Sequence, residues 1–349
     1  MISLLVAFAS GVIGTALGGV LSIVLTALAA LVGIGANIAG AKYNIVNQIA
    51  FGMLLGPHVS FGPACCAAAY AAKRGYLAHS HDVTTPLASL HKADVLMTGG
   101  GFAVAGWLVN KLLQIPFAGK VDTIAVSVLM ISLSVKWGFG GSLIGKPEEG
   151  KSRFGKNSRC WLPWQNRFQG WYLWVLGSSG GLISGYITWQ MCEIGEMTGN
   201  EALIAVSVLP VWGFALIAFL FLAMEKQIPI INHMGICAGY AARMVFLCNG
   251  SRGDALLWAT AFGVLSGYAG DFLAQVFDVN GLGYVDPPSI VVALLSAFPM
   301  SICPILAEKW GMGWKMNIIP ILVIIMSIFA AAHYHIQLHR VVKGGITNV

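Results

Sequence analysis

The sequence predicts an all-α, polytopic integral membrane protein with two tandem pseudo-symmetric helical repeats, broken or re-entrant helices, and one extra C-terminal helix. Three observations point there: a composition too apolar for water, apolar runs of membrane-spanning length, and a set of motifs that recurs in the same order.

Of 349 residues, 57% are hydrophobic and 10% charged, against about 25% charged in an ordinary soluble domain. A chain of this length has too little polar surface to coat so apolar an interior, so hydrocarbon is the solvent that fits. The runs 2–37 (long enough for two short spans), 121–141, 171–191, 202–224, 287–307 and 316–337 supply the crossings, each needing roughly 20 residues as helix. The runs are continuous and do not alternate, which selects helices over a barrel. The net charge of +6 lies in loops, chiefly 142–170, as the positive-inside tendency requires. The lipid bilayer is therefore the expected partner, and nucleic acid is not. Seven cysteines (Cys65, Cys66, Cys160, Cys192, Cys237, Cys248 and Cys303) form no C-x-x-C pair and read as small buried residues. Met1-Ile2-Ser3 is not a basic leader, and the apolar run behind it outlasts a signal peptide's core, so this end is expected to be structural.

The repeat comes next. Pro63–Arg74 reads PACCAAAYAAKR and His233–Met244 reads HMGICAGYAARM, so that Tyr70, Ala71, Ala72 and Lys73 fall on Tyr240, Ala241, Ala242 and Arg243. Ala93-Asp94 falls on Gly253-Asp254, Phe102-Ala103-Val104 on Phe262-Gly263-Val264, and Val121-Asp122 on Val285-Asp286. Gly14-x-x-x-Gly18 is matched by Gly181-x-x-x-Gly185. Ordered matches of this kind mark duplication, a recurrent plan among transporters. The expected organisation is repeat one at 1–141, a basic cytoplasmic connector at 142–170, repeat two at 171–308, and an additional helix and tail at 309–349. Connector residues Lys146, Lys151, Arg153, Lys156, Arg159 and Arg167 read as solvated cytoplasmic charge. Trp161, Trp164, Trp171, Tyr172 and Trp174 read as an interfacial belt. His333, His335 and His339 read as an interfacial cluster after the last span.

Each repeat contains an interrupted segment, 47–75 and 228–248. If it dips and returns, the chain makes nine crossings with parallel repeats, and only Lys111, Lys120, Arg340 and Lys343 fall outside the cytoplasmic side. If it crosses, there are eleven crossings and inverted repeats. The basic residues favour nine, which places the acidic loops 193–201 and 278–286 outside.

The interruptions are where chemistry is expected. Gly56-Pro57 and Gly62-Pro63 break the first segment and Pro229 the second, because proline removes a donor and clashes with the preceding turn. His58 and Ser60, and Asn232 and His233, then stand just ahead of short helices expected at 63–74 and 235–247. Free N–H groups and the positive dipole end converge there, an arrangement suited to polar or anionic solutes. The plain alternative makes these turns in an interfacial loop, with both histidines bonded to carbonyls. Lys73 and Arg243 end the short helices, and Asp94 and Asp254 begin the next ones, which predicts the structural pairs Lys73–Asp94 and Arg243–Asp254; Arg243 is also a candidate solute contact. Asp271 lies inside an apolar run, where a charge costs about 2.5–3.5 kcal/mol. It is a candidate proton or cation site, with Lys111 at the equivalent place in repeat one as a candidate partner; the equal alternative is that the helix ends early and leaves Asp271 at the interface. Gly99–Gly101 reads as a hinge or close-packing surface.

These residues predict a transporter or permease for a small polar or anionic solute or ion, with the broken helices of both repeats as its pathway. The alternatives are a passive channel, and a non-transporting subunit that assembles a complex through small-residue helix faces. An intramembrane enzyme or a metal centre on His58, Cys65, Cys66, His233 and Cys237 is the weakest option, since no ligand spacing supports it. No metal, cofactor or enzymatic activity is therefore expected. The small-residue faces leave a homo-oligomer open, and the expected location is a prokaryotic inner membrane, multi-pass.

Overall fold

The computed structural model describes residues 1–41, 43–139, 141–155 and 158–346, with side chains to 338. Lys156 and the side chains of His339, Arg340 and Lys343 therefore lie outside the described residues. All regular structure among the described residues is helical: α1 (Ile2–Leu17), α2 (Gly19–Ile38), α3 (Phe61–Lys73), α4 (Ala93–Phe117), α5 (Thr123–Gly138), α6 (Gly170–Thr198), α7 (Glu201–Val206), α8 (Leu209–Ile217), α9 (Phe219–Ala223), α10 (Asn232–Leu247), α11 (Arg252–Phe277), α12 (Pro287–Leu295), α13 (Cys303–Trp310) and α14 (Trp314–Ile346). Five stretches are long and apolar enough to cross a bilayer: α2, α4, α11, the α12–α13 stretch and the α14 stretch to Leu338. Shorter apolar helices include α1, α5 and the α8–α9 stretch.

Local chemistry sets the boundaries. The aspartates of the repeated Val-Asp motif are both N-caps: Asp122 accepts from the Ala125 N–H at 2.9 Å, and Asp286 from the Ser289 N–H at 2.8 Å. Each satisfies a donor that a helix start leaves free. Gly18 has φ +83°, a conformation that L side chains avoid, and this single residue divides the 2–37 run into two helices. Gly199, φ +64°, closes α6 in the same left-handed way.

Two compact units are drawn from interleaved parts of the chain: unit 1 from Met1–Arg159, Gly213–Ile228 and Leu273–Ala297, and unit 2 from Cys160–Trp212, Pro229–Phe272 and Phe298–Val349. Glycines bring helices to backbone contact in each. In unit 1, Gly11 meets Gly99 and Ala103, Gly99 lies under Thr15 and Gly100 under Phe8, so Gly99 and Gly100 form a packing surface of α4 on α1, while Gly101 is exposed. In unit 2, Gly177 and Gly181 meet Gly263 and Ala259, pressing α6 onto α11. Small residues permit such approach where lipid offers helices no hydrophobic reason to associate.

The interrupted segment of unit 1 does not turn back. Gly33 of α2 packs on Val46, Thr26 donates to the Leu55 carbonyl at 2.6 Å, and Gly19 packs on Cys65. The chain from 46 to 65 thus runs antiparallel to α2 across the fifteen residues from Gly19 to Gly33, about 21 Å at helical rise. It passes from a π-helical turn (Val46–Ala50) through irregular turns at 51–60 into α3. One end of unit 1 collects the C-termini of α1, α3 and α5, the start of α4, and the loop 278–286. Lys73 Nζ reaches the Phe139 carbonyl, Val83 accepts from the Val20 N–H, and His81 Nε2 lies 3.0 Å from the Asp278 carbonyl. The acidic loop 278–286 shares this end with the start of the connector, where Gly145 packs against Asn280. The arrangement follows from hydrogen bonds made to loop carbonyls, which a count of basic residues does not register.

Candidate functional site

The polar residues fall into a cluster in unit 2 and two clusters in unit 1. In unit 2, α10 begins at Asn232, three residues earlier than expected, so Asn232 and His233 occupy its first turn. Both are buried. The preceding segment is held by Gln165, whose side-chain amide donates to the Ile230 carbonyl and accepts its N–H, each at 2.9 Å. His233 lies against Gly270, where an added Cβ would stand 2.9 Å from Nε2, and its ring centre is 6.4 Å from that of Trp161. The next residue, Asp271, is paired with Arg167: Nη1 to Oδ2 is 2.7 Å, with the two side chains 6% and 4% exposed. Arg167 also lies over the Phe168 ring.

This corrects two expectations. The partner of Asp271 is Arg167 and not Lys111, which is exposed and donates to Gln114. The connector is also more than solvated charge: Gln165, Asn166 and Arg167 are buried, and Arg153 donates to the carbonyls of Gly145, Gln275 and Val276. The last carbonyls of a helix accept hydrogen bonds from arginine and favour its charge. Three buried atoms in unit 2 (His233 Nδ1, Asn232 Oδ1 and Asp271 Oδ1) have no hydrogen-bond partner among the described residues. Buried polar atoms are satisfied in the great majority of cases, which sets these three apart from most of their neighbours.

In unit 1, His58 is buried in the turns before α3, and Asn110 of α4 stands 3.4 Å from its Nε2. His58 Nδ1 and Asn110 Oδ1 have no hydrogen-bond partner among the described residues. Gly106 makes room for the His58 carbonyl, from which an alanine Cβ would be 2.0 Å away. Ser60 is engaged with its own loop, donating to the carbonyls of Leu55 and Gly56, and so is no free solute ligand. Gly56 and Pro57 lie in the irregular turns, while Gly62 and Pro63 fall inside the first turn of α3, which starts at Phe61 rather than Pro63. Pro63 there loses no helical bond. Pro229 precedes α10 in a stretch without regular structure.

The expected ion pairs are replaced. Lys73 donates to Phe139, while Asp94 accepts from Tyr70 and has Arg74 at 4.0 Å. Arg243 donates to the Ala205 carbonyl at 2.7 Å and lies over Tyr240. Asp254 is held by Ser251 and Asn317. Helix ends found carbonyl and amide partners close by, and the charges had no need of one another.

A second polar cluster in unit 1 was not expected. Lys136 is fully buried and donates to the Asn280 carbonyl at 3.0 Å. Asp278 is buried beside it, accepting the Val285 N–H at 2.9 Å, and Asp286 accepts from Tyr284 and Ser289. His81 Nε2 is 3.7 Å from Asp278 Oδ1 and lines a pocket of about 680 Å³ with His79, Ser80, Asp82, Thr84 and Arg159. Burial pushes the Asp278 carboxyl up to about 7, against the pull of the Val285 N–H and Lys136. Burial also raises Asp82, but hydrogen bonds from Thr85 and Thr84 outweigh it and hold that carboxyl below its ordinary range. The sequence signal for this cluster was weak: Lys136 looks like a helix-end cation, and Asp278 like part of a surface loop.

No curated protein matches this chain, and no solved structure does. One family model matches, at residues 1–158 and again at 148–309. Since those matches span most of the chain, the protein belongs to that family, DUF7973, a family of unknown function.

Proposed function

We propose that this protein is a transporter or permease for a small polar or anionic solute, working as a multi-pass protein of a prokaryotic inner membrane. The support comes from the unit 2 cluster. A buried Arg167–Asp271 pair, with His233 and Asn232 in the first turn of α10, leaves three polar atoms uncommitted within an apolar helical body. Ionisable groups inside membrane segments are expensive and are kept for substrate or ion handling. A guanidinium near a helix N-terminus favours an anionic or carbonyl-bearing solute.

We propose further that the chain is a duplication with inverted halves and eleven crossings. Support comes from the two overlapping matches of one family model and from the shared series of helices: α1, α2, α3, α4, α5 against α6, α7–α9, α10, α11, α12–α13. The course of 46–65 along α2 supports five crossings in repeat one, an odd number that would invert the next copy. The interrupted segments then cross the membrane instead of dipping into it, as broken helices do at transporter sites.

Flux into proteoliposomes, using a panel of labelled carboxylates, phosphate and amino acids, tests the reading. The wild type should accumulate at least one of them above protein-free vesicles, and Asp271→Asn and His233→Ala should each lower that flux at least tenfold. Flux equal in all three proteins would remove the cluster from the pathway, and no flux for any solute would count against transport.

A further inference from the structure

Unit 1 contains a chain of polar contacts that leads from the pocket at 78–84 into its buried interior. The Asp278 carbonyl can only accept, so His81 Nε2, 3.0 Å away, carries the ring proton and Nδ1 is the basic nitrogen. Ser80 Oγ lies 3.2 Å from that Nδ1 and accepts the Gly283 N–H, leaving its hydroxyl proton for the ring. Behind His81 stands the Asp278 carboxylate, 3.7 Å from Nε2. Lys136 of α5, Asp286 and Tyr284 of the same loop, Cys65 of α3 and Arg159 of the connector surround Asp278. Arg153 faces Lys136, and His79 and Asp82 line the pocket mouth with His81. Of these, Lys136, Asp278 and Asp286 are buried: two carboxylates against one ammonium, an imbalance that one bound proton removes.

We propose that Asp278 is a proton-binding site, loaded from the pocket through His81, and that the proton is the coupling ion of the transporter. The proposal rests on the transport reading above only for the word coupling; the binding site stands without it. A proton from pocket water adds to His81 Nδ1, giving the imidazolium. The Nε2 proton then passes to Asp278 Oδ1 across a gap that a small side-chain rotation closes. The products are a neutral imidazole bearing its proton on Nδ1 and a neutral carboxylic acid; reversal releases the proton to the pocket. The raised affinity of Asp278 for protons matches this role, as burial disfavours its ionised form. Asp271, in unit 2, already has Arg167 as its ion-pair partner at 2.7 Å.

Infrared difference titration of the full chain in nanodiscs reads the site directly. The wild type should show one carboxylic-acid C=O band that disappears as pH rises through neutrality. Asp278→Asn should abolish that band completely, and Asp286→Asn should retain it. His81→Gln should keep the band at equilibrium but slow its appearance at least tenfold after a pH jump. Absence of the band from the wild type overturns the proposal even if no variant folds, as does its persistence in Asp278→Asn. Proton binding is read here without solute, so a chain that moves nothing would still show the band. Conversely, solute flux indifferent to a pH gradient would end the coupling claim and leave transport intact.

Discussion

The 2.7 Å contact between Arg167 and Asp271 is worth most as a warning about its removal. Truncating one partner of a buried pair strands the other charge, a loss of about 3–5 kcal/mol. Arg167→Ala should therefore lower the melting temperature in detergent sharply, while Arg167→Gln with Asp271→Asn should recover much of it; a double variant as unstable as Arg167→Ala would show that the ion pair is not the source. Asp278 gives a pH signature of the opposite kind to a surface carboxylate. Its folded-state affinity for protons is raised to about 7, so its stabilising contribution is complete below the ordinary carboxylate range and is lost as pH climbs through about 7. Thermal stability should fall over that window in the wild type and stay flat in Asp278→Asn. Asp271 stands out in the sequence because a charge inside an apolar run is costly, and the structure buries it there. Arg167 does not, since six basic residues in one connector look alike until burial separates them. Lys136 was hidden by standing within one turn of a helix end, where a lysine normally reaches water.

Elements were easier to place than their courses. Proline and glycine announce where helical hydrogen bonding stops, so the breaks at Gly56-Pro57 and before α10 could be read from residue types. They do not say whether the chain beyond goes forward or back, because that depends on what packs beside it. Thr26 on Leu55 and Gly33 on Val46 supply the answer for unit 1. The repeated Val-Asp motif was a better guide, because its chemistry is local: both aspartates cap the helix they precede. The α1–α2 junction rests on Gly18, whose φ is +83° and whose missing Cβ would stand 2.7 Å from the Thr85 carbonyl. Gly18→Ala should cost about 1–3 kcal/mol, seen as a lower melting temperature. An unchanged melting temperature would mean that the two helices can join in another geometry.

For the whole molecule, composition decided the class and left topology open. The count of basic residues preferred nine crossings; the contacts of loop 278–286 with His81 and Lys136 favour eleven, because hydrogen bonds between specific groups outweigh a statistical charge bias. The two alternatives predict different labelling. With eleven crossings, His79→Cys and Leu282→Cys should react with an impermeant maleimide from the same side of the membrane, and Ser251→Cys from the other. Reaction of His79→Cys and Leu282→Cys from opposite faces would restore the nine-crossing arrangement.

The amide of Gln165 has a consequence at this scale too. By giving and taking one hydrogen bond at Ile230, it imitates a neighbouring β-strand, so the two bonds hold or fail as a couple. Residues 228–231 and the stretch around Gln165 are thereby yoked. Arg167 sits only two residues along that stretch, so any shift of the chain ahead of α10 tugs on the guanidinium that Asp271 holds.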